Sequence, residues 1–241
     1  MKRAPVRLLL AALTMLFAGL GQSKAGITTY GTRAAFDVAA PGVPVEGFQN
    51  ADTSSTGAFT GPLNSSSNIP GFFSPGDILP GITLSTQSNN MFTAGPGQSS
   101  NPTLAVGSNF PGSDSLELVF GPGVTALAFD LFQNFGGGSQ SGSNQTYQVS
   151  LYDTSDVLIG TYNATVPSGS AGFFGATSDS ALIGRASILG PNNAFEVVDN
   201  IAFGQANAEA VPEPASIAML LVGTMGVAGY GWRRRKQSVP A

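Results

Sequence analysis

Any chemistry in this 241-residue chain falls to oxygen-bearing side chains, because it contains no cysteine and no histidine. That removes thiol nucleophiles, disulfides, ordinary zinc or copper sites and histidine general bases. Among the carboxylates, Asp199 is the most pointed. Phe195, Val197, Ile201 and Phe203 share its parity along one apolar segment. Strict strand alternation would turn Asp199 into the core with them. A carboxylate placed there needs a counter-charge, a metal cation or local hydrogen bonds. Arg33 and Arg185 are the only cations between residues 26 and 210. Calcium held partly by loop carbonyls is a second partner. A bulge or strand end at Asp199-Asn200, with the side chain capping a turn, is a third arrangement. Asp153 and Asp156, in Asp153-Thr154-Ser155-Asp156, offer further oxygen ligands for a metal. Hairpin turns also favour Asp for purely local hydrogen bonds.

The search for a catalytic constellation ends differently. There is no Gly-x-Ser-x-Gly elbow, phosphate loop, dinucleotide fingerprint, EF-hand pattern or Asp-rich nonapeptide repeat. A glycosidase needs two carboxylates about 5 to 10 Å apart, and the spacing here selects no pair. We therefore expect no enzymatic activity and no obligatory cofactor. Sugar binding is a separate question. The only tryptophan, Trp232, lies near the C-terminus. Tyr30, Tyr147, Tyr152 and Tyr162 remain, with Tyr152 expected at the surface, opposite Val149 and Leu151. Asn and Gln amides can read sugar hydroxyls. A lectin-like module is thus an open alternative, without a named site.

Charge narrows the partners. Residues 26–210 hold thirteen acidic side chains and two basic ones, a net charge of −11 that the whole-chain value of −4 conceals. Such a surface repels nucleic acid and anionic lipid.

The elements that must position these groups are mostly strands. Thr32 can cap a short helix over 33–40, which Pro41 helps to end. Strands are expected at 43–48, 82–86, 104–106 and 115–120, the last broken by Gly121-Pro122-Gly123. Residues 50–80 read as a long irregular connection. A strand over 125–132 follows, where Leu127, Phe129 and Leu131 alternate. Residues 136–144 read as a flexible loop. Tyr147, Val149 and Leu151 begin a hairpin that turns at 153–156 and returns over 157–165. Short strands at 173–174, 182–183 and 186–189 lead to a closing strand at 195–203. Even spacing and Gly/Pro turns point to a mainly β fold, an antiparallel, jelly-roll-like β-sandwich over residues 26–209 with one short N-terminal helix.

The two ends read as addresses. Residues 1–25 have the form of a signal-peptide helix: Lys2, Arg3 and Arg7, an apolar run from Leu8 to Leu20, then Ser23-Lys24-Ala25 for signal peptidase. At the other end, Val211-Pro212-Glu213-Pro214 precedes 18 uncharged residues, 215–232, long enough for one transmembrane helix. Arg233, Arg234, Arg235 and Lys236 follow and stop translocation, leaving the preceding domain outside. The prolines hold the chain open ahead of that helix.

Motif, apolar helix and basic end, over residues 210–236, resemble the PEP-CTERM sorting signal of Gram-negative bacteria, also labelled an ice-binding protein C-terminal domain. The resemblance implies an exported protein anchored in the inner membrane by its C-terminal helix until an exosortase-type enzyme recognises Pro212, Glu213 and Pro214. It implies a final place at the cell surface, the outer envelope or the extracellular matrix, often beside exopolysaccharide. It implies no ice binding or other activity for the domain in front. Thr32 to Phe36, Phe173-Phe174-Gly175 and Val198 to Gly204 loosely resemble β-rich ectodomains common among such proteins. The expected function is a non-enzymatic structural or adhesive one. The alternative is carbohydrate binding, with calcium as a conceivable aid.

Overall fold

A computed structural model describes residues 26–52, 55–110, 114–134, 142–179, 182–191 and 194–206. The expected signal peptide, the sorting motif Val211 to Pro214, the helix over 215–232 and the basic cluster Arg233 to Lys236 lie outside these residues. Among the described residues no helix is long and apolar enough to cross a membrane.

The chain order is β1 (Ile27–Tyr30), α1 (Arg33–Ala39), β2 (Val45–Glu46), β3 (Gly57–Thr60), β4 (Leu63–Asn64), β5 (Ile82–Thr86), β6 (Asn90–Ala94) and β7 (Ala105–Ser108). Then come β8 (Leu116–Val124), β9 (Ala126–Asn134), β10 (Gln145–Asp153), β11 (Leu158–Val166), β12 (Gly172–Ser178), β13 (Ile183–Leu189) and β14 (Phe195–Gly204). Two antiparallel sheets stack as a sandwich. One has eight strands in the order β1-β12-β9-β14-β7-β6-β3, with β2 also on β14; the other has six, β11-β10-β13-β8-β5-β4. One apolar layer between them unites Phe48, Phe73, Leu84, Leu118, Phe129 and Leu151 with many others. Burial of such side chains stabilises the fold by about 1.5–3 kcal/mol each.

Helix α1 forms as its sequence dictates. The Thr32 side chain accepts a hydrogen bond from the Ala35 N–H at 3.3 Å, satisfying one free donor of the first turn. Phe36 is its one buried residue. It packs with Ala126, Ala128 and Ala202 on the outer face of the eight-stranded sheet. The expected hairpin is β10–β11, with Tyr147, Val149 and Leu151 fully buried.

Several expectations change. Residues 50–80 contain two short strands, β3 and β4; runs of two to four residues are too short to show a period. Strand β6 was not expected. Met91 fills the main core while Phe92 joins Phe132 and Val197 in a second cluster, so both faces are covered and no polar alternation remains. Only two residues of 43–48 pair, and the segments 182–183 and 186–189 belong to the single strand β13. Gly121-Pro122-Gly123 does not end its strand. Val119 pairs with Arg185 and Val124 with Ile183, so β8 loops out 120–123 against the single residue Gly184 and then resumes. This is the bulge that Gly and Pro favour inside a strand.

Candidate functional site

The carboxylate Asp199 sits where β14 changes phase. Val198 pairs with Leu131 and Asp199 with Asp130, but Ala202 pairs with Ala128, so β14 carries one extra residue. Asn200 absorbs it at φ 50°, a conformation Asn tolerates better than most residues. The parity expected from Ile201 and Phe203 therefore breaks. Those two side chains, with Val198, enter the layer between the sheets, whereas Val197 belongs to the cluster on the outer face. Asp199 follows Val197 by two residues and shares that outer face. It is fully buried there. Its Oδ1 accepts the Asn200 N–H at 2.7 Å, and its Oδ2 accepts the Thr103 hydroxyl. Burial first, then the nearby charges of Asp130 and Glu46, push its pKa up to about 6, against the pull of these two hydrogen bonds.

The two arginines are elsewhere. Arg33 donates to Asp130 Oδ1 at 3.1 Å and to the Asn200 carbonyl at 2.6 Å, with its guanidinium 4.9 Å from the Phe173 ring centre. Arg185 lies on the exterior of the six-stranded sheet. It donates to Glu117 at 2.6 Å and to Asp156 at 2.6 and 2.9 Å, and covers the Tyr152 ring at 3.7 Å. Tyr152, expected at the surface, is half-buried beneath it. Asp153 Oδ1 accepts the N–H groups of Ser155 and Val157 at 2.8 and 2.9 Å and so shapes the turn. Asp153, Asp156 and Arg185 share one shallow groove of about 350 Å³ with Val119 and Pro122. Asp199, on the other sheet, is not part of it. Among the described residues no three acidic side chains are placed to share a metal ion.

Three further buried carboxylates were not singled out from the sequence, and one of them, Asp114, accepts the Ser88 N–H at 3.2 Å. Glu46 accepts the Phe48 N–H at 2.6 Å through Oε1 and the Leu79 N–H at 2.7 Å through Oε2, tying the 78–79 segment to β2. Glu196 is fully buried and accepts the Gly190 N–H at 2.6 Å. Burial, with the charge of Asp114 added, pushes its pKa up to about 8, although the Gly190 N–H favours the ionised form. The adjacent Tyr147 donates to the Phe132 and Phe195 carbonyls, and burial with the Glu196 charge raises its pKa as well. The pair Val197-Val198 was the available signal: consecutive apolar residues mark a strand covered on both faces, where Glu196 must be buried too.

A different groove has the composition of a binding site. It is lined by Thr29, Tyr30, Gly31, Tyr162, Asn163, Ala164, Thr165, Phe173 and Phe174, with a volume of about 420 Å³. Strands β1 and β11 are the edges of the two sheets, so the groove follows one open side of the sandwich. No acid or base lines it. The Tyr30 hydroxyl is 3.0 Å from Thr177 Oγ1, and its ring meets Phe36 edge-on at 6.0 Å. Tyr162 packs on Phe174 at 6.1 Å. Its ring folds back over Gly160, where an added Cβ would lie 2.7 Å from the phenol oxygen. Asn163 is exposed at the rim.

A family model described as the PEP-CTERM protein-sorting motif matches residues 210–236. The chain thus carries the sorting motif of exported proteins that an exosortase processes. No curated protein sequence matches it. Among solved structures it is distantly similar to the N-terminal endo-1,4-β-D-xylanase 10B of Clostridium thermocellum, a CBM22-1–GH10 module pair complexed with xylohexaose. Identity there is 13%, over 67% of this chain and 28% of that one, with a TM-score of 0.33. It is also similar to a mutant of the family 29 carbohydrate binding module CBM29-2, at 12% identity over 66% of this chain and 99% of that one, again with a TM-score of 0.33. Likeness at this level carries no argument about ligands.

Proposed function

We propose that this export substrate serves a non-enzymatic structural or adhesive role at the surface or in the extracellular matrix of a Gram-negative bacterium, in association with exopolysaccharide. In this reading signal peptidase removes residues 1–25. The helix over 215–232 then holds the protein in the inner membrane until an exosortase-type enzyme processes the tail. The crossing of successive strands between the sheets, from β8 to β9 to β10, supports a jelly-roll-like form for the exported domain.

The observation that carries the reading is how the charges are placed. Thirteen acids face two bases between residues 26 and 210. Arg33 and Arg185, the only two, are both held by carboxylates of the same domain. The domain offers water a soluble acidic exterior and offers nucleic acid no cation to grip. Such a module suits a hydrated matrix. Carbohydrate binding is the second reading, and the uncharged Tyr30–Tyr162–Asn163 groove favours it.

Cell fractionation with and without the protein tests the main reading. The protein is expected in the matrix fraction, and its removal is expected to lower the force needed to shear cells apart. Unchanged cohesion with the protein absent from the matrix overturns the proposal.

A further inference from the structure

We propose that the groove between β1 and β11 binds a segment of uncharged polysaccharide. This deepens the carbohydrate reading above and rests on it.

Four observations converge. The first is charge. The domain has a formal net charge of −11, yet no carboxylate, lysine or arginine lines this groove. An anionic chain would be repelled by the surrounding field, and a cationic ligand would find better partners at the exposed acids. What fits the lining is a ligand with no charge.

The second is the mixture of groups. Tyr162 turns its ring inward onto Phe174 and Tyr30 stands with Phe36 on the outer face, so a ring that ends in a hydroxyl lies on either side of the β1 edge. Thr29 brings a hydroxyl, and Asn163 and Thr165, which alternate with Tyr162 along β11, stand exposed at the rim with an amide and a second hydroxyl. A pyranose matches this mixture, because it carries apolar C–H faces and a rim of hydroxyls. A purely apolar ligand would leave these polar groups without partners.

The third is preparation. Tyr30 is held by Thr177 and Phe36, and Tyr162 by Phe174. Rings already fixed lose little entropy when a ligand arrives. The fourth is shape. The groove follows the edges of both sheets, so an extended chain can lie along it, and its volume of about 420 Å³ falls within the roughly 300–1,000 Å³ of small-ligand sites. With no carboxylate in the lining, binding here needs no calcium.

Gly31 supplies the test. It lines the groove, and a Cβ added there meets nothing within 4 Å. Gly31→Phe therefore adds bulk beside the groove at a position where a Cβ finds open space. Full-length protein in detergent is titrated with soluble neutral glucan, mannan and galactan and with anionic alginate, each with calcium and with chelator. The expected result is binding of at least one neutral polymer, unchanged by chelator. It weakens tenfold or more in Gly31→Phe and in Tyr162→Ala, while Asp156→Asn in the other groove leaves it unaltered. Thermal melts confirm that each variant is folded. Neutral binding that survives Gly31→Phe overturns this site and leaves the carbohydrate reading standing. Binding of alginate alone overturns the uncharged class. Binding of none of the four overturns both.

Discussion

Asp199 and Asp130 stand directly opposite each other across the β14–β9 pair, and Arg33 bridges to Asp130 alone. Like charges in cross-strand positions are destabilising. The fold answers by giving Asp130 a cation and by holding Asp199 on a hydroxyl and a backbone N–H, with its pKa raised to about 6. A carboxyl that keeps its proton in the fold, while the unfolded chain releases it near 3.8, loses stability as pH rises between the two values. The Asp199 contribution therefore falls from about pH 4 to pH 6. Asp199→Asn keeps an acceptor for the Asn200 N–H and is expected to flatten that fall. Urea denaturation at half-unit pH steps reads the slope, and an unchanged slope contradicts this environment for Asp199.

Glu196 makes a second and higher window. Its pKa of about 8, against an ordinary 4.5, means that stability declines as pH rises from about 4.5 to 8. Glu196→Gln retains an acceptor for Gly190 and removes the charge. The variant and parent are expected to melt together near pH 5 and to separate by roughly 3 °C or more near pH 8, the variant higher. A variant that melts lower throughout would mean that the carboxylate is stabilised where it lies.

Arg185 joins three groups at once: Glu117, Asp156 and the face of Tyr152. Asp156 is largely exposed, so its share is small. The ring contact and the partly buried Glu117 carry the effect. Arg185→Lys keeps the charge but loses the planar stack, with an expected cost of about 1 kcal/mol. Arg185→Ala also takes the cation from Glu117 and leaves it only the Ser115 and Ser187 hydroxyls, at about 2 kcal/mol. Chemical denaturation of both variants, with Tyr152→Leu to close a cycle, separates stacking from pairing. Equal costs for Lys and Ala would assign the whole effect to the stack.

Of the described glycines, Gly107 leaves a side chain the least room. A Cβ there would lie 2.3 Å from the Glu196 carbonyl oxygen and 2.9 Å from the Phe92 ring. Gly107→Ala must part β7 from β14 and is expected to cost about 3 kcal/mol. Gly31→Ala, in open space, is expected to change stability by less than about 0.5 kcal/mol. Melting both variants side by side tests the packing of the eight-stranded sheet.

Pro212 and Glu213 test the address independently of the domain. With both changed to Ala, the protein is expected to remain in the membrane fraction at its unprocessed size. Unaltered size and location on a gel of cell fractions would show that another segment directs processing.

Local signals carried the elements that depend on local physics. Thr32 announced its helix through a capping hydroxyl, and Tyr147, Val149 and Leu151 announced a hairpin through alternation. Non-local packing hid the rest. Strand β6 has both faces covered, so Met91 and Phe92 show no period. The bulge at Asn200 inverts the facing of Asp199, and only the Asp-Asn pair hinted at it. The groove joins Tyr30 to Tyr162 across 132 positions of sequence, and nothing short of the sheet order places them together. The sorting motif was legible in full because a processing enzyme reads it as a linear string.

The last strand among the described residues, β14, is an inner one, with β9 on one side and β7 and β2 on the other. Until Phe195–Gly204 arrives, the eight-stranded sheet lacks its middle, and Val198, Ile201 and Phe203 are missing from the core. Pairings this distant in sequence form late. The six-stranded sheet needs nothing from β14, so the two halves of the sandwich differ in how much of the chain each requires. The eight-stranded sheet can close only when the segment just ahead of the sorting motif has arrived. Strand order alone thus makes the closing of this sheet depend on the last residues of the domain.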